Sequence, residues 1–530
     1  MEHIGFKNFR QFKNFPNMQL GGITILVGSN NSGKSTIEKA MMLTLDNLRS
    51  NQIKPASMFH KCNVYHFDSS NIHDVHVSTF GRALNHHADS KEITFSVGLD
   101  DFDITLVLRG DDPESSEAFI QEALIRDKEL QFSYDINYAQ SSMTMDASQS
   151  SDENEENVSS VEKHIADLQA RITTSISPLE SANLNEELNR ARVLKETLKA
   201  TSTDKDKVTI VLSKFDDIAN ENILVNYIRG FAEYAHLTTI GDKREKAYKE
   251  IEQSKQFLLS KEKQILDSAS RLNSAIYNTP LVYIQAHAAF QKAVFSTEDK
   301  NDYTATVLYR FIQHRINRES ETHKFVTDWM QKFGLGVDFI IESLQGTAFS
   351  VRIFDKPGEY ELYVKTHNKM IGVDLADKGM GSNQIMLMLW NMATIISDYK
   401  GYVNKPLIII EEPEQNLHPQ VQSNLADLFD YIYNKFGFRF VIETHSEYLV
   451  RRTELLVAQN IYMEEKQKEK TYINPFRVYF LQGNDEEPYY EMKYSATGRF
   501  HGRQFGSGFY DAAGKTALDL SKIERKLSRK

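Results

Sequence analysis

Gly28-Ser29-Asn30-Asn31-Ser32-Gly33-Lys34-Ser35 follows the pattern G-x-x-x-x-G-K-[ST]. The run before it, Ile23-Thr24-Ile25-Leu26-Val27, is apolar and β-branched, as a buried strand requires. After it, residues 37–48 place apolar side chains at helical spacing. Strand, glycine loop and helix in that order form a cradle for phosphate. The glycines allow a tight turn whose successive N–H groups point at one anion. The helix start adds the positive end of its dipole. Lys34 brings a full charge to the β- and γ-phosphates of a nucleotide, and the Ser35 hydroxyl is placed to ligate Mg2+. Chance alone produces the pattern in about one chain in fifty of this length, so the flanking strand and helix carry the assignment. The expected nucleotide-binding residues are Gly28, Ser29, Asn30, Asn31, Ser32, Gly33, Lys34, Ser35 and Thr36.

Further along, residues 92–108 alternate with period two and read as two strands joined near Asp100-Asp101. Residues 140–160, QSSMTMDASQSSDENEENVSS, are polar and acidic and read as a solvated linker. Charged stretches with near-heptad apolar spacing cover 161–198 and about 243–276; they suit either a short antiparallel coiled coil or plain amphipathic helices. Leu281-Val282-Tyr283-Ile284 reads as a strand returning the chain to the first sheet, and 304–333 as helical. Residues 349–354 and 360–365 alternate around Lys356-Pro357-Gly358-Glu359, which predicts a hairpin. A glycine-containing turn after Asp377 precedes a long apolar helix over 385–396. Strands at 407–410 and 438–442, each followed by a helix, complete an α/β alternation, and 474–481 reads as a further strand.

Composition bounds the function classes. The chain has 530 residues, ordinary apolar and charged content, and a net charge of −11, which disfavours a generally basic nucleic-acid binder. One cysteine, Cys62, excludes an internal disulfide framework, and with His60 and His66 it falls short of a structural zinc site. No apolar run is long enough to span a membrane, and the opening residues carry no charged-then-apolar leader, so a cytoplasmic protein with no membrane partner is expected.

Leu407-Ile408-Ile409-Ile410-Glu411-Glu412-Pro413 is an apolar strand ending in two carboxylates. In phosphate-loop enzymes such a strand is expected beside the phosphate-loop strand, with its first acid serving Mg2+ and its second the attacking water. The run Glu411-Glu412-Pro413-Glu414-Gln415-Asn416-Leu417-His418-Pro419 resembles the E-E-P-E-x-x-L-H-P segment of ABC-type ATPases in the RecF/SMC/OLD group. Phe440-Val441-Ile442-Glu443-Thr444-His445-Ser446 is similar to their switch segment, and Asn8-Phe9-Arg10-Gln11-Phe12 to their opening. Gly379-Met380-Gly381-Ser382-Asn383-Gln384 resembles their signature turn. The close at Phe505-Gly506-Ser507-Gly508-Phe509-Tyr510-Asp511 is similar to that of stand-alone bacterial heads, so a fused Toprim nuclease is not expected.

The resemblance implies an α/β fold: a P-loop NTPase with an ABC-type head, made of a parallel core sheet plus an antiparallel β lobe, interrupted by an α-helical insertion. It implies divisions at 1–137, 138–280, 281–470 and 471–530, the first and third forming the head. It implies that ATP and Mg2+ are bound, with Ser35 and Glu411 on the metal, and that Glu412, His445 and Lys34 are catalytic. Glu412 would activate water and His445 would contact the γ-phosphate. Gly379, Gly381, Ser382 and Gln384 would reach the ATP of a second copy, giving a head-to-tail dimer. The family's glutamine after the first helix has no counterpart over 53–120, where 78–81 are the nearest substitute, and Asn416 stands where relatives carry histidine or aspartate. The implied partner is a separate effector, such as the HNH nuclease of Septu-type anti-phage systems. A RecF-like ATPase clamping nucleic acid, and a scaffold that binds ATP without turnover, stay open as alternatives.

Overall fold

A computed structural model describes residues 1–50, 64–68, 77–140, 142–147, 207–211, 225, 228–231, 245–286, 292–296, 298, 302–314, 318–344, 347–467 and 472–506. The expected helix over 161–198 and the close at 507–511 lie outside them. The chain divides into two compact units, Met1–Asn17 with Met41–Tyr277, and Met18–Ala40 with Asn278–Lys530.

The chain opens with β1 (His3–Phe9), β2 (Phe12–Gln19) and β3 (Ile23–Gly28). The first two join an antiparallel sheet with β4 (Val64–His66), β5 (Glu92–Leu99), β6 (Phe102–Arg109), β7 (Glu117–Asp127), β8 (Phe132–Asn137), β9 (Ser142–Asp146) and β10 (Lys207–Val211). The expected hairpin is β5–β6, with Asp100 at φ 49° in its turn. Alternation sorts each strand: Ile104, Leu106 and Leu108 are buried while their neighbours are partly exposed. Over 142–146 β9 corrects the linker reading, while 141 and 148–160 lie outside the described residues. Within that polar stretch Met143 and Met145 alternate inward and pair against β8. The predicted helix near 243–276 is present as Glu245–Tyr277. Its Ser268 and Arg271 both reach the buried carboxylate of Asp127, each at 2.6 Å.

The second unit is built on a sheet in the order β11 (Leu281–Ile284), β16 (Leu407–Glu411), β17 (Arg439–Glu443), β3, β18 (Phe476–Leu481), β19 (Tyr489–Tyr494), β20 (Phe500–His501). The first five are parallel. Covered on both faces, they read as continuous apolar runs; Ile408, Ile410, Ile25 and Ile442 are all fully buried. A smaller sheet holds β12 (Phe295–Ser296), β13 (Asp338–Ser343), β14 (Ala348–Phe354) and β15 (Val373–Asp374). Helix Met380–Tyr399 buries Ile385–Ile396 almost continuously, with Trp390 at its centre.

Three expectations need correction here. Residues Glu359–Thr366 form a helix, not the second arm of a hairpin. Gly358 turns at φ 85°, and the Glu359 carboxylate accepts the N–H groups of Asp355 and Lys356, which fixes the helix start. The stretch over 304–333 is two helices, Tyr303–Gln313 and Glu321–Lys332, each opened by its own cap, Asp302 and Ser320. Finally, the acidic strand β16 is not beside β3, because β17 lies between them.

Candidate functional site at the carboxyl ends of the core strands

Parallel strands in register bring their carboxyl ends to one sheet edge, where open α/β sheets place ligands. Glu411 is paired with Glu443, and Glu443 with Leu26. The phosphate loop, the acidic pair and the switch segment therefore emerge together.

The loop leaves β3 at Gly28. A Cβ there would meet the Leu481 carbonyl at 2.7 Å and the Ser32 hydroxyl at 2.6 Å, so only glycine admits the turn. Asn31 at φ 62° and Gly33 at φ 100° carry the left-handed steps that aim successive N–H groups inward. Asn30 and Asn31 are exposed while Ser32, Gly33 and Lys34 are buried. Helix Lys34–Ser50 starts directly at the lysine. Lys34 Nζ donates to the carbonyls of Gly28 at 3.3 Å and Ser29 at 3.1 Å, and lies 3.7 Å from Glu443 Oε1. Burial lowers its pKa, and the nearby Glu443 and Glu412 carboxylates oppose that shift.

Glu411 ends β16 and accepts the Ala286 N–H at 3.3 Å. Glu412 follows at φ 41°, a left-handed conformation unusual for a residue with a side chain. Its N–H donates to the Glu443 carbonyl at 2.9 Å, which holds the strained peptide. His445 Nε2 lies 3.6 Å from Glu412 Oε1, too far for a hydrogen bond. Burial lowers the His445 pKa and Lys34 lowers it further, against the pull of Glu412. Burial and Lys34 together favour the neutral ring over the charged one. The His445 N–H is bonded to Glu414 Oε1 at 2.6 Å.

Two residues were missed in the sequence. Glu443 accepts the Ser35 hydroxyl at 2.8 Å, and burial pushes its carboxyl up against the lowering effect of Lys34 and Ser35. Glu38, one turn after Lys34, is fully buried. Burial pushes its carboxyl well above the usual range, and Glu443 and Glu411 push it further. Helical spacing from Lys34 could have flagged Glu38; nothing local flags Glu443. Among the described residues, two groups have ligand atoms within 4.8 Å of one another: Glu38, Glu411 and Glu443, and Glu412, Glu443 and His445. Hard oxygens dominate both, the donor set that suits Mg2+.

The signature residues sit elsewhere in this unit. Gly379 turns at φ 91° and helix Met380–Tyr399 begins at once, so Gly381, Ser382 and Gln384 lie in its first turns rather than in a loop before it. The Ser382 hydroxyl donates to the Lys378 carbonyl at 3.0 Å, and Gln384 is buried. A Cβ on Gly381 would meet the Asn416 carbonyl at 3.0 Å, so this helix start packs on the turn that follows the acidic strand. The proposed glutamine substitute at 78–81 caps a short helix in the other unit, where Thr79 accepts the Arg82 N–H.

A glycine loop with its lysine and serine, beside strand-end carboxylates and a histidine at one edge of a parallel sheet, is the arrangement of a P-loop fold. The AAA ATPase domain family matches residues 1–450, and the chain belongs to that family. Among solved structures, it is similar to an Smc head domain with an extended coiled coil bound to the C-terminal domain of ScpA, from Pyrococcus furiosus. That match has 11% identity and a TM-score of 0.34, covering 99% of each chain. It is also similar to an SmcHead bound to the C-winged helix domain of ScpA, with 10% identity and a TM-score of 0.32, covering 92% of this chain and 96% of that one. No curated protein matches the chain. Among the described residues, no helix is long and apolar enough to cross a membrane.

Proposed function

We propose that this chain binds ATP with Mg2+, hydrolyses it, and closes head to tail with a second copy around two nucleotides. The observation that supports the reading is the meeting of Lys34, Ser35, Glu411, Glu412 and His445 at one sheet edge. The Ser32 hydroxyl is buried with no partner among the described residues, an orphan that a phosphate oxygen would satisfy. Residues 28–36 cradle the phosphates through backbone N–H groups, and Lys34 exchanges its loop carbonyls for β- and γ-oxygens. Mg2+ held at Ser35 and Glu411 would neutralise charge developing on those oxygens. Glu412, fixed by its strained backbone, orients the attacking water. Neutral His445 donates a ring N–H to the γ-phosphate. Gly379, Gly381, Ser382 and Gln384 complete the pocket of the second copy, so ATP biases an equilibrium between open and closed heads. By the resemblance of its motifs, the closed dimer controls a separate effector, such as the HNH nuclease of an anti-phage system.

Substituting Glu412→Gln tests the cycle. General-base loss should cut turnover by about 10²–10⁴-fold and accumulate an ATP-bound dimer in light scattering. Rapid hydrolysis by a protein that stays monomeric with ATP would defeat the reading. Mass spectrometry of the trapped assembly from its native host tests the effector; an assembly of this chain alone counts against it.

A further inference from the structure

Glu443 makes polar contacts to the phosphate loop and to the acidic pair at once. Its Oε2 accepts the Ser35 hydroxyl at 2.8 Å, its Oε1 lies 3.7 Å from Lys34 Nζ, and its carbonyl accepts the Glu412 N–H at 2.9 Å. It is the one residue shared by the two groups of metal-capable side chains at this edge. Neither the phosphate loop nor the acidic strand contains it; it ends β17.

A serine that ligates a cation does so through an oxygen lone pair, so its proton needs a separate acceptor. The sequence assigns the metal-side carboxylate to Glu411. In the structure Ser35 donates to Glu443, while Glu411 accepts the Ala286 N–H. The strand order explains the change. With β17 between β3 and β16, Glu411 stands one further strand away, a displacement of about 4.8 Å.

Glu38 supplies a second, independent observation. It is 0% exposed, and no donor from outside the acidic cluster reaches either carboxyl oxygen among the described residues. Its carboxyl comes within 4.8 Å of those of Glu411 and Glu443. Three carboxyl groups drawn this close repel one another, and a divalent cation with its waters against their oxygens would offset that repulsion.

We propose that Glu443 is the positioning residue of the metal shell: it takes the Ser35 hydroxyl proton, aims the Ser35 lone pair, and with Glu38 and Glu411 forms the carboxylate wall against which Mg2+ and its waters rest. This rests on the reading of the edge as an Mg–ATP site. Glu411 would then serve the same metal from the next strand, and removing Glu443 harms the metal more than removing Glu411.

The test uses the full chain with Mn2+ as the spin-active probe and a non-hydrolysable ATP analogue. Mn2+ affinity is read by electron paramagnetic resonance, and analogue affinity is measured separately in EDTA. In Glu443→Gln, Mn2+ affinity should fall by about 10–100-fold, the usual effect of losing an outer-shell partner. Analogue affinity in EDTA, where Glu443 acts only through Lys34, should change less than Mn2+ affinity, and Glu411→Gln should lose less Mn2+ affinity. Unchanged Mn2+ affinity in Glu443→Gln, or a larger loss in Glu411→Gln, overturns the proposal. Should Glu443→Gln fail to fold, Glu443→Asp decides. It keeps the charge but draws the carboxylate back by about one C–C bond, roughly 1.5 Å, and must also weaken Mn2+; wild-type Mn2+ affinity in that variant overturns the proposal equally. A wild-type protein that binds no analogue at all would instead sink the ATPase reading itself.

Discussion

Replacing Glu414 with alanine isolates the support beneath the switch histidine. Glu414 is buried in the turn after β16, and its Oε1 accepts the His445 N–H at 2.6 Å. Truncation leaves that amide without its acceptor, at a cost of about 1–3 kcal/mol. As a local opening equilibrium this is about 5–150-fold. Two features place the expected value toward the lower half. The second carboxyl oxygen is itself buried without a hydrogen bond, and burial pushes the Glu414 carboxyl up, so part of the loss is returned when the charge is deleted. Glutamine separates charge from geometry. It keeps an acceptor for the His445 N–H, exchanging a charged acceptor for a neutral one at about 1 kcal/mol, roughly fivefold. Hydrogen exchange read by mass spectrometry on a peptide covering 440–447 should order the proteins as wild type slowest, Glu414→Gln next and Glu414→Ala fastest. On the proposed reading ATP turnover should fall in the same order, because a loosened His445 would no longer present its ring to the γ-phosphate. Wild-type exchange in Glu414→Ala, or equal exchange in the two variants, would refute the reasoning.

Two further outcomes concern stability. Asp127→Ala removes a wholly buried acceptor of Ser268, Arg271 and the Glu129 and Leu130 N–H groups. Breaking such a buried pair costs about 3–5 kcal/mol, with the lower figure expected because Arg271 keeps Asp267 and Glu129. A urea-midpoint change worth under about 1 kcal/mol would show that the network contributes little. His323 gives a pH signature. It is 7% exposed and stacked on Phe339, and burial lowers its pKa from 6.5, helped by Arg318 and opposed by Asp338. Below 6.5 the unfolded chain therefore binds more protons at this residue than the folded one, so its contribution makes stability fall as pH drops from 6.5 toward the folded value. His323→Gln should flatten that part of the melting-temperature profile, and an unchanged slope would reject the assignment.

What was legible in the sequence depended on how local the cause was. The phosphate loop is read from eight contiguous residues because its turn, its amides and its helix start are all made by that segment. The buried parallel strands are equally plain, since runs such as Leu407-Ile408-Ile409-Ile410 have no polar face to offer water. β9 was hidden because only Met143 and Met145 mark its alternation inside a polar stretch. Glu359–Thr366 misled because Tyr363 is its only buried residue, so eight residues carry almost no period of either kind. Glu443 was illegible for a deeper reason. Its local context, an acid after an apolar strand, is the same as that of Glu411. Which of the two faces Ser35 is decided by strand order, and no residue within either strand encodes that order.

The same strand order ties the proposed chemistry to the proposed second copy. The Glu412 N–H hangs from the Glu443 carbonyl, so the residue that would orient water is fastened to the one that grips Ser35. From Glu412 the turn runs through Glu414, which holds the His445 amide, to Asn416, whose carbonyl abuts Gly381. Leu417 then accepts from Gln422, which in turn accepts from the Ser446 hydroxyl at 2.6 Å. The turn is therefore fixed at one end to the switch segment and at the other to the helix carrying the signature residues. Packed interiors move between discrete arrangements rather than stretching. If a second copy shifts the start of the Met380–Tyr399 helix, the shift reaches His445 and Glu412 through this turn within the same chain. A link of that kind would make hydrolysis depend on closure without any residue of the second copy touching the water.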